Sequence, residues 1–166
     1  MPKEKKWYVF YCKSRAEKKA NEELTVRGYE SYLPMMQQDR VWSDRIKKVI
    51  IPMIPGYIFV NSFDHDIINI LQLSQIVCQV RIGKEYATIR SSEVDLLREL
   101  EINGIKVYVE NSIIKEGDQV EICAGVLRHQ QGLCIEESGN NYFIIAIEGI
   151  NQSIKIKIDK GLVKKV

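Results

Sequence analysis

Hydrophobic and polar positions along the first hundred residues predict short strands separated by helices. The run Trp7-Tyr8-Val9-Phe10-Tyr11, flanked by lysines, reads as a strand. Alternation along it puts Tyr8 and Phe10 on one face and Trp7, Val9 and Tyr11 on the other. Ser14 followed three residues later by Glu17 is a capping-box pattern, which predicts a helix running to about Arg27. Ala16, Ala20 and Leu24 supply its buried stripe, and Gly28 is placed to close it as a left-handed cap. Tyr29 to Met36 reads as a strand stopped near Pro34, and the polar stretch Gln37 to Lys48 before Val49-Ile50-Ile51 predicts a solvent-exposed hairpin or loop. The next strand, ending in Tyr57-Ile58-Phe59-Val60, is entered through Pro52, Pro55 and Gly56. Each residue before a proline is kept out of the helical region, and Gly56 allows a turn that other residues resist. His65 to Leu73 has helical spacing, Ile76 to Ile82 is strand-like, and Ser91 or Ser92 is expected to cap a last helix with Val94, Leu97 and Leu100 inside. The resulting order, β-α-β-β-α-β-α, predicts an α+β ferredoxin-like domain, an antiparallel sheet with helices on one face.

The pattern changes after Ile105. Short strands at Gln119–Ile122, Gly132–Glu136, Tyr142–Ile147 and Ile154–Ile158 are punctuated by glycine and asparagine, with no helical period among them. They predict a small all-β SH3-like barrel, closed to hide its edges. The expected division is 1–103 for the N-terminal domain, 104–114 for a polar linker and 115–166 for the barrel. A sheet covered by helices on one side leaves the Trp7, Val9 and Tyr11 face bare. With Ile54 and Tyr57 beside Tyr11, that face is expected to take a protein partner; the competing reading is that all three are core.

Charge adds a second surface. The chain's 24 Lys+Arg and 22 Asp+Glu nearly cancel, but residues 1–48 hold 12 basic and 7 acidic residues, about +5, leaving 24 − 12 = 12 against 22 − 7 = 15, about −3, for the rest. Lys13, Arg15, Lys18 and Lys19 are candidate phosphate contacts, with Tyr8 or Tyr11 near enough to stack on a base. Spacing alone equally allows a solvated helix face shared with Glu17, Glu22 and Glu23. Candidate catalytic chemistry is missing: His65 and His129 fall in different expected domains, and Cys12-Lys13-Ser14-Arg15 lacks the glycines of a phosphate loop. Cys12, Cys78, Cys123 and Cys134 form no Cys-x-x-Cys pair, so they are expected to be buried free thiols, not a zinc or redox site. No metal, no cofactor and no enzymatic activity are expected. No apolar run approaches the roughly 18 residues of a membrane helix, and the start Met-Pro-Lys-Glu-Lys-Lys is not a signal peptide, which predicts a cytoplasmic protein without a membrane partner. A monomer is expected.

Taken in order, Trp7-Tyr8-Val9-Phe10-Tyr11-Cys12-Lys13, Ala16-Glu17-Lys18-Lys19, Tyr32-Leu33-Pro34, Pro55-Gly56-Tyr57-Ile58-Phe59-Val60 and Val80-Arg81-Ile82-Gly83 resemble the N-terminal domain of the NusG family of transcription elongation factors. Glu116-Gly117-Asp118-Gln119-Val120 with Gly125 and Gly132-Leu133 resembles the KOW motif that ends these proteins. Within the family, Tyr11-Cys12-Lys13 is similar to RfaH, and Val41-Trp42-Ser43-Asp44-Arg45 is similar to UpxY-type antiterminators of capsule operons. The resemblance implies an antitermination factor that binds the clamp helices of RNA polymerase, spans the DNA cleft and suppresses pausing. By position, Tyr11, Ile54 and Val94 match its apolar clamp contacts, with Tyr57 beside them, and Lys13 and Lys19 match positions facing the non-template DNA strand. The RfaH gate-loop element has no equivalent near His65-Asp66. Glu148 stands where the barrel's apolar anchor for Rho or the ribosomal protein NusE is expected, which should weaken that contact. KOW barrels also occur in ribosome-associated RNA-binding proteins, the alternative from a different class.

Overall fold

The computed structural model describes residues 3–166; Met1 and Pro2, the first two residues of the expected N-terminal domain, lie outside the described residues. In chain order the first half runs β1 (Lys6–Cys12), α1 (Glu17–Val26), β2 (Glu30–Tyr32), β3 (Met35–Val41), β4 (Ile46–Pro52) and β5 (Tyr57–Ser62). It continues with α2 (Ile67–Ile70), β6 (Ile76–Gln79), β7 (Arg81–Ile82), β8 (Glu85–Tyr86), β9 (Thr88–Ile89) and α3 (Ser91–Ile102). β1 lies inside an antiparallel sheet, with β5 on one side and β6 and β9 on the other, and β2 extends the sheet beyond β5. β3 and β4 form a separate hairpin from the stretch expected to be exposed and polar, and β7 and β8 form a smaller one.

Both faces of the sheet are covered, which corrects the expectation of helices on one side. Tyr8, Phe10 and Cys12 pack with Ile58 and Val60 beneath Ala20 and Leu24 of α1 and Ile67 and Ile70 of α2. On the opposite face Trp7, Val9 and Phe59 cluster with Val94, Leu97 and Leu100 of α3. Those three recur at i, i+3 and i+6, the stripe that lets a helix seal an apolar sheet face from water.

Helix starts depart from the sequence pattern. The Ala16 N–H donates to the Lys13 carbonyl at 3.0 Å, a turn that leaves Arg15 left-handed (φ 61°) and makes Ala16, not Ser14, the first cap of α1. At its other end the Tyr29 N–H reaches the Leu24 carbonyl at 3.0 Å across Gly28, the expected left-handed cap. The cap of α3 is Arg90 and not a serine: the Glu93 carboxylate accepts the Arg90 backbone N–H at 3.1 Å and its guanidinium at 3.0 Å. A carboxylate three residues into the helix outcompetes the two exposed serines because it meets both donors and the positive end of the dipole. The helix expected over His65–Leu73 is a 3-10 turn, Asp64–Asp66, running into the short α2.

Glu101, near the end of α3, ties the helix to the sheet. Its carboxylate accepts the Tyr32 hydroxyl at 2.8 Å and the Met35 N–H at 3.2 Å. Burial, with the Glu101 hydrogen bond second, pushes the Tyr32 hydroxyl far above its ordinary range and keeps it a donor.

The second half is all β: β10 (Tyr108–Glu110), β11 (Asp118–Ile122), β12 (Gln131–Glu137), β13 (Asn140–Ile147), β14 (Gln152–Ile158) and β15 (Val163–Lys165). They join as one antiparallel sheet in the order β10-β14-β13-β12-β11-β15. β10 falls within 104–114, the segment expected to be a linker, and is held to β14 by more than its backbone. Lys155, only 8% exposed, donates to Glu110 on β10 and to Glu137 on β12, each at 2.8 Å. Two carboxylates offset the cost of sinking an ammonium into the sheet.

Tyr32→Phe, which strands the half-buried Glu101 carboxylate without its shortest donor, is expected to lower unfolding free energy by about 1–2 kcal/mol in urea titrations, with little change in m-value.

Candidate functional site

The apolar residues singled out from the sequence meet around the entrance to β5. Ile54-Pro55-Gly56-Tyr57 is a turn with Pro55 second and Gly56 third at φ +90°, closed by the Tyr57 N–H on the Ile54 carbonyl at 3.4 Å. Tyr11 at the end of β1 lies against this turn: a Cβ on Gly56 would come within 2.6 Å of the Tyr11 ring. The Tyr11 and Tyr57 rings meet edge to face, centroids 5.4 Å apart. Glycine is thus required twice at position 56, by backbone conformation and by the ring above it.

The four candidates divide sharply in exposure. Tyr11 is 42% exposed, whereas Ile54 and Val94 are each 1% exposed. The expectation that Ile54 lies on a bare, partner-facing surface is corrected, and the competing reading, that it is core, holds for it. Ile54 and Val94 belong to one apolar cluster that also contains Phe143, Ile147, Ile150 and Ile154 of the second half. The cover from the all-β half reaches Tyr57 as well. Burial pushes the Tyr57 hydroxyl up, Tyr11 and Cys78 add to the rise, and the neighbouring Gln152 side chain opposes it.

A close backbone approach between the halves lies at a 3-10 turn, Glu148–Ile150. A Cβ on Gly149 would sit 2.6 Å from the Thr88 carbonyl oxygen and 3.2 Å from Ile89, so only glycine lets this turn press against β9. The Arg90 guanidinium, held charged first by Glu93, gains further from Glu148. Glu148 therefore faces the N-terminal half, a role that its reading as a substituted anchor did not foresee. Thr88, Gly149 and Gln152 were missed altogether, since nothing local in a sequence marks which glycine meets another strand. The departure at Glu148-Gly149 was the one available signal.

Lys13, Arg15, Lys18 and Lys19 are all exposed around the start of α1. Among the described residues none of the four has a carboxylate within ion-pair distance, and the Lys18 ammonium donates to the Ile50 carbonyl of β4 at 3.1 Å. Tyr8 is 5% exposed and belongs to the core, so it is not available to stack on a base; Tyr11 is. The cysteines are free, but only Cys12 is buried; Cys78 and Cys123 are exposed and Cys134 is intermediate. Burial beside Glu17 pushes the Cys12 thiol up to about 12. Among the described residues no His, Cys, Asp or Glu cluster is placed to hold a metal ion, and no helix is long and apolar enough to cross a membrane.

Residues 5–98 match the family model described as "Transcription termination factor nusG". The chain belongs to the NusG family. Members of this family are non-enzymatic transcription factors, in agreement with the missing catalytic constellations. The solved structure "Domain interaction in Thermotoga maritima NusG" is 19% identical, with a TM-score of 0.59 over 98% of this chain and 97% of that one. An α+β NusG N-terminal domain followed by an all-β region is therefore the shared fold. The solved structure "Crystal Structure of MjSpt4:Spt5 complex conformation B" is 16% identical, with a TM-score of 0.35 over 96% of both chains.

Thiol titration at pH 8 is expected to label Cys78 and Cys123 rapidly and Cys12 only on unfolding. Because the folded Cys12 pKa of about 12 exceeds the ordinary thiol value of 9.0, the unfolded state loses this proton first as pH rises. The thiol's contribution to stability is then complete below pH 9 and falls between about 9 and 12; a Cys12→Ser variant should show a shallower decline over that window.

Proposed function

We propose that this NusG-family protein is an elongation and antitermination factor that binds the clamp helices of RNA polymerase through Tyr11, Ile54, Tyr57 and Val94, and acts on particular operons such as surface-polysaccharide genes. The observation that carries the reading is the apolar patch at the β5 entrance, where Tyr11 and Tyr57 sit at the rim of a surface otherwise covered by the second half of the chain. In this reading Ile54 and Val94 become contacts only when the barrel, 115–166, moves away, so the observed arrangement is the resting form. Lys13, Arg15, Lys18 and Lys19 then meet the non-template DNA strand, and the turn at Glu148 is freed as well. Rho or NusE contact through that turn is a weak side branch, because an acidic residue occupies the anchor position.

Binding in this scheme is taxed by closure. The apparent affinity for polymerase is the intrinsic one multiplied by the fraction of molecules that are open. Gly149→Val places side-chain atoms where the Thr88 carbonyl stands, so it favours the open form without touching the proposed contacts. In quantitative pull-downs with purified core RNA polymerase, Gly149→Val is expected to bind more tightly, on the order of tenfold for each 1.4 kcal/mol by which closure is favoured. Tyr11→Glu, at an exposed position, should lose on the order of 2 kcal/mol of binding. Tight recovery of ribosomal subunits in place of polymerase, or Tyr11→Glu binding like the parent, contradicts the proposal.

A further inference from the structure

The chain between the two halves is ordered from both ends, and only a short piece of it is left without a partner. On the N-terminal side α3 stops in a closed cap. The Ile105 N–H donates to the Leu100 carbonyl at 3.0 Å and the Gly104 N–H to the Glu101 carbonyl at 3.1 Å, with Gly104 left-handed at φ 64°. This pair of bonds is the Schellman arrangement, so the backbone belongs to the helix as far as the Ile105 N–H.

Order resumes almost at once on the barrel side. Val107 is 2% exposed, within the apolar cluster shared by the halves. Tyr108, Val109 and Glu110 then pair with Lys155, Ile154 and Ser153 of β14, and the Tyr108 ring meets Tyr142 of β13 edge to face, centroids 5.9 Å apart. Past β10 the hold continues through one side chain. The Ser153 hydroxyl is 0% exposed; it accepts the Ile114 N–H and donates to the Ser112 carbonyl, each at 2.9 Å. It thereby satisfies two main-chain groups of a segment that has no ladder of its own. Strand pairing, a buried hydroxyl and the carboxylates on Lys155 all fasten 107–114 to the same all-β body. Lys106 stands between the two ordered stretches. It is exposed, and among the described residues its backbone makes no hydrogen bond.

We propose that residues 107–114 move with the barrel as one rigid body, and that the halves part by rotation about a hinge at Ile105-Lys106 in place of a flexible 104–114 tether. A free stretch of about three residues spans roughly 10 Å at full extension. The parted barrel therefore stays beside the end of α3, where its effective concentration is high and re-closure is favoured. Any partner that takes the barrel's place must bind with the barrel still next to it. The hinge rests on the proposed function only in taking the halves to separate; no polymerase contact enters, so the clamp assignment and the hinge can fail independently.

The test is amide hydrogen exchange on the full chain without polymerase, compared with a variant carrying six Gly-Ser residues inserted between Ile105 and Lys106. Protection of 89–97 and 147–154 reads docking, and protection of 118–122 and 140–146 shows that the all-β half is intact. Effective concentration falls as about the −3/2 power of tether length. Lengthening a hinge of about three residues to about nine should lower docking protection roughly fivefold or more, whereas lengthening a tether of about fourteen residues to about twenty would lower it less than twofold. Gly149→Val supplies the second measurement, since it disfavours docking without altering the connection. In that variant 107–114 should stay as protected as in the parent while 89–97 exchanges faster. A fall of less than twofold on insertion, or loss of protection over 107–114 in step with 89–97 in Gly149→Val, overturns the hinge and makes the segment a flexible tether.

Discussion

Both faces of the N-terminal sheet carry large apolar side chains, and the need to keep each from water organises most of the molecule. Tyr8, Phe10, Ile58 and Val60 are sealed by α1 and α2 in the ordinary way of a helix-covered sheet. Trp7, Val9 and Phe59 need a second cover, and α3 alone supplies a stripe of Val94, Leu97 and Leu100. The remaining apolar surface around Ile54 is continuous with the core of the all-β half. Two halves that would otherwise be beads on a string thus share one cluster.

That shared cluster gives the individual features their meaning. Gly149 allows a turn to press on β9, Gln152 meets Tyr57, and Glu148 adds to the carboxylate field around Arg90. Lys155 fastens β10 to β14, so the chain between the halves is itself partly strand. Contacts of this kind, mixing one close glycine with polar partners at the rim, resemble a transient interface more than a fused core.

Most of the longer strands, the polar hairpin, the Gly28 cap and the change to an all-β second half were legible in the sequence because each depends on local periodicity or on a single turn residue, whereas the two- and three-residue strands β8, β9, β10 and β15 are too short to carry a period. The helix caps were not. Ser14 and Ser91 have the right chemistry, but the turn at Lys13–Ala16 and the reach of Glu93 decided otherwise, and both depend on geometry several residues away. The second cover was harder still. Alternation in β1 correctly separated Tyr8 and Phe10 from Trp7 and Val9, yet it carried no information about what lies over the second set. Ile54 was legible as unusual and misread as exposed, because a proline-bounded turn at a strand entrance looks the same whether water or a barrel lies outside it.

Amide hydrogen exchange of the full chain, free and with saturating core RNA polymerase, tests most directly whether polymerase takes the place of the barrel. Segments 89–97 and 147–154 face each other in the free protein and should both be protected. With polymerase bound, 89–97 is expected to stay protected while 147–154 loses protection. If both segments keep the protection they have in the free protein, polymerase binds elsewhere and the account is wrong.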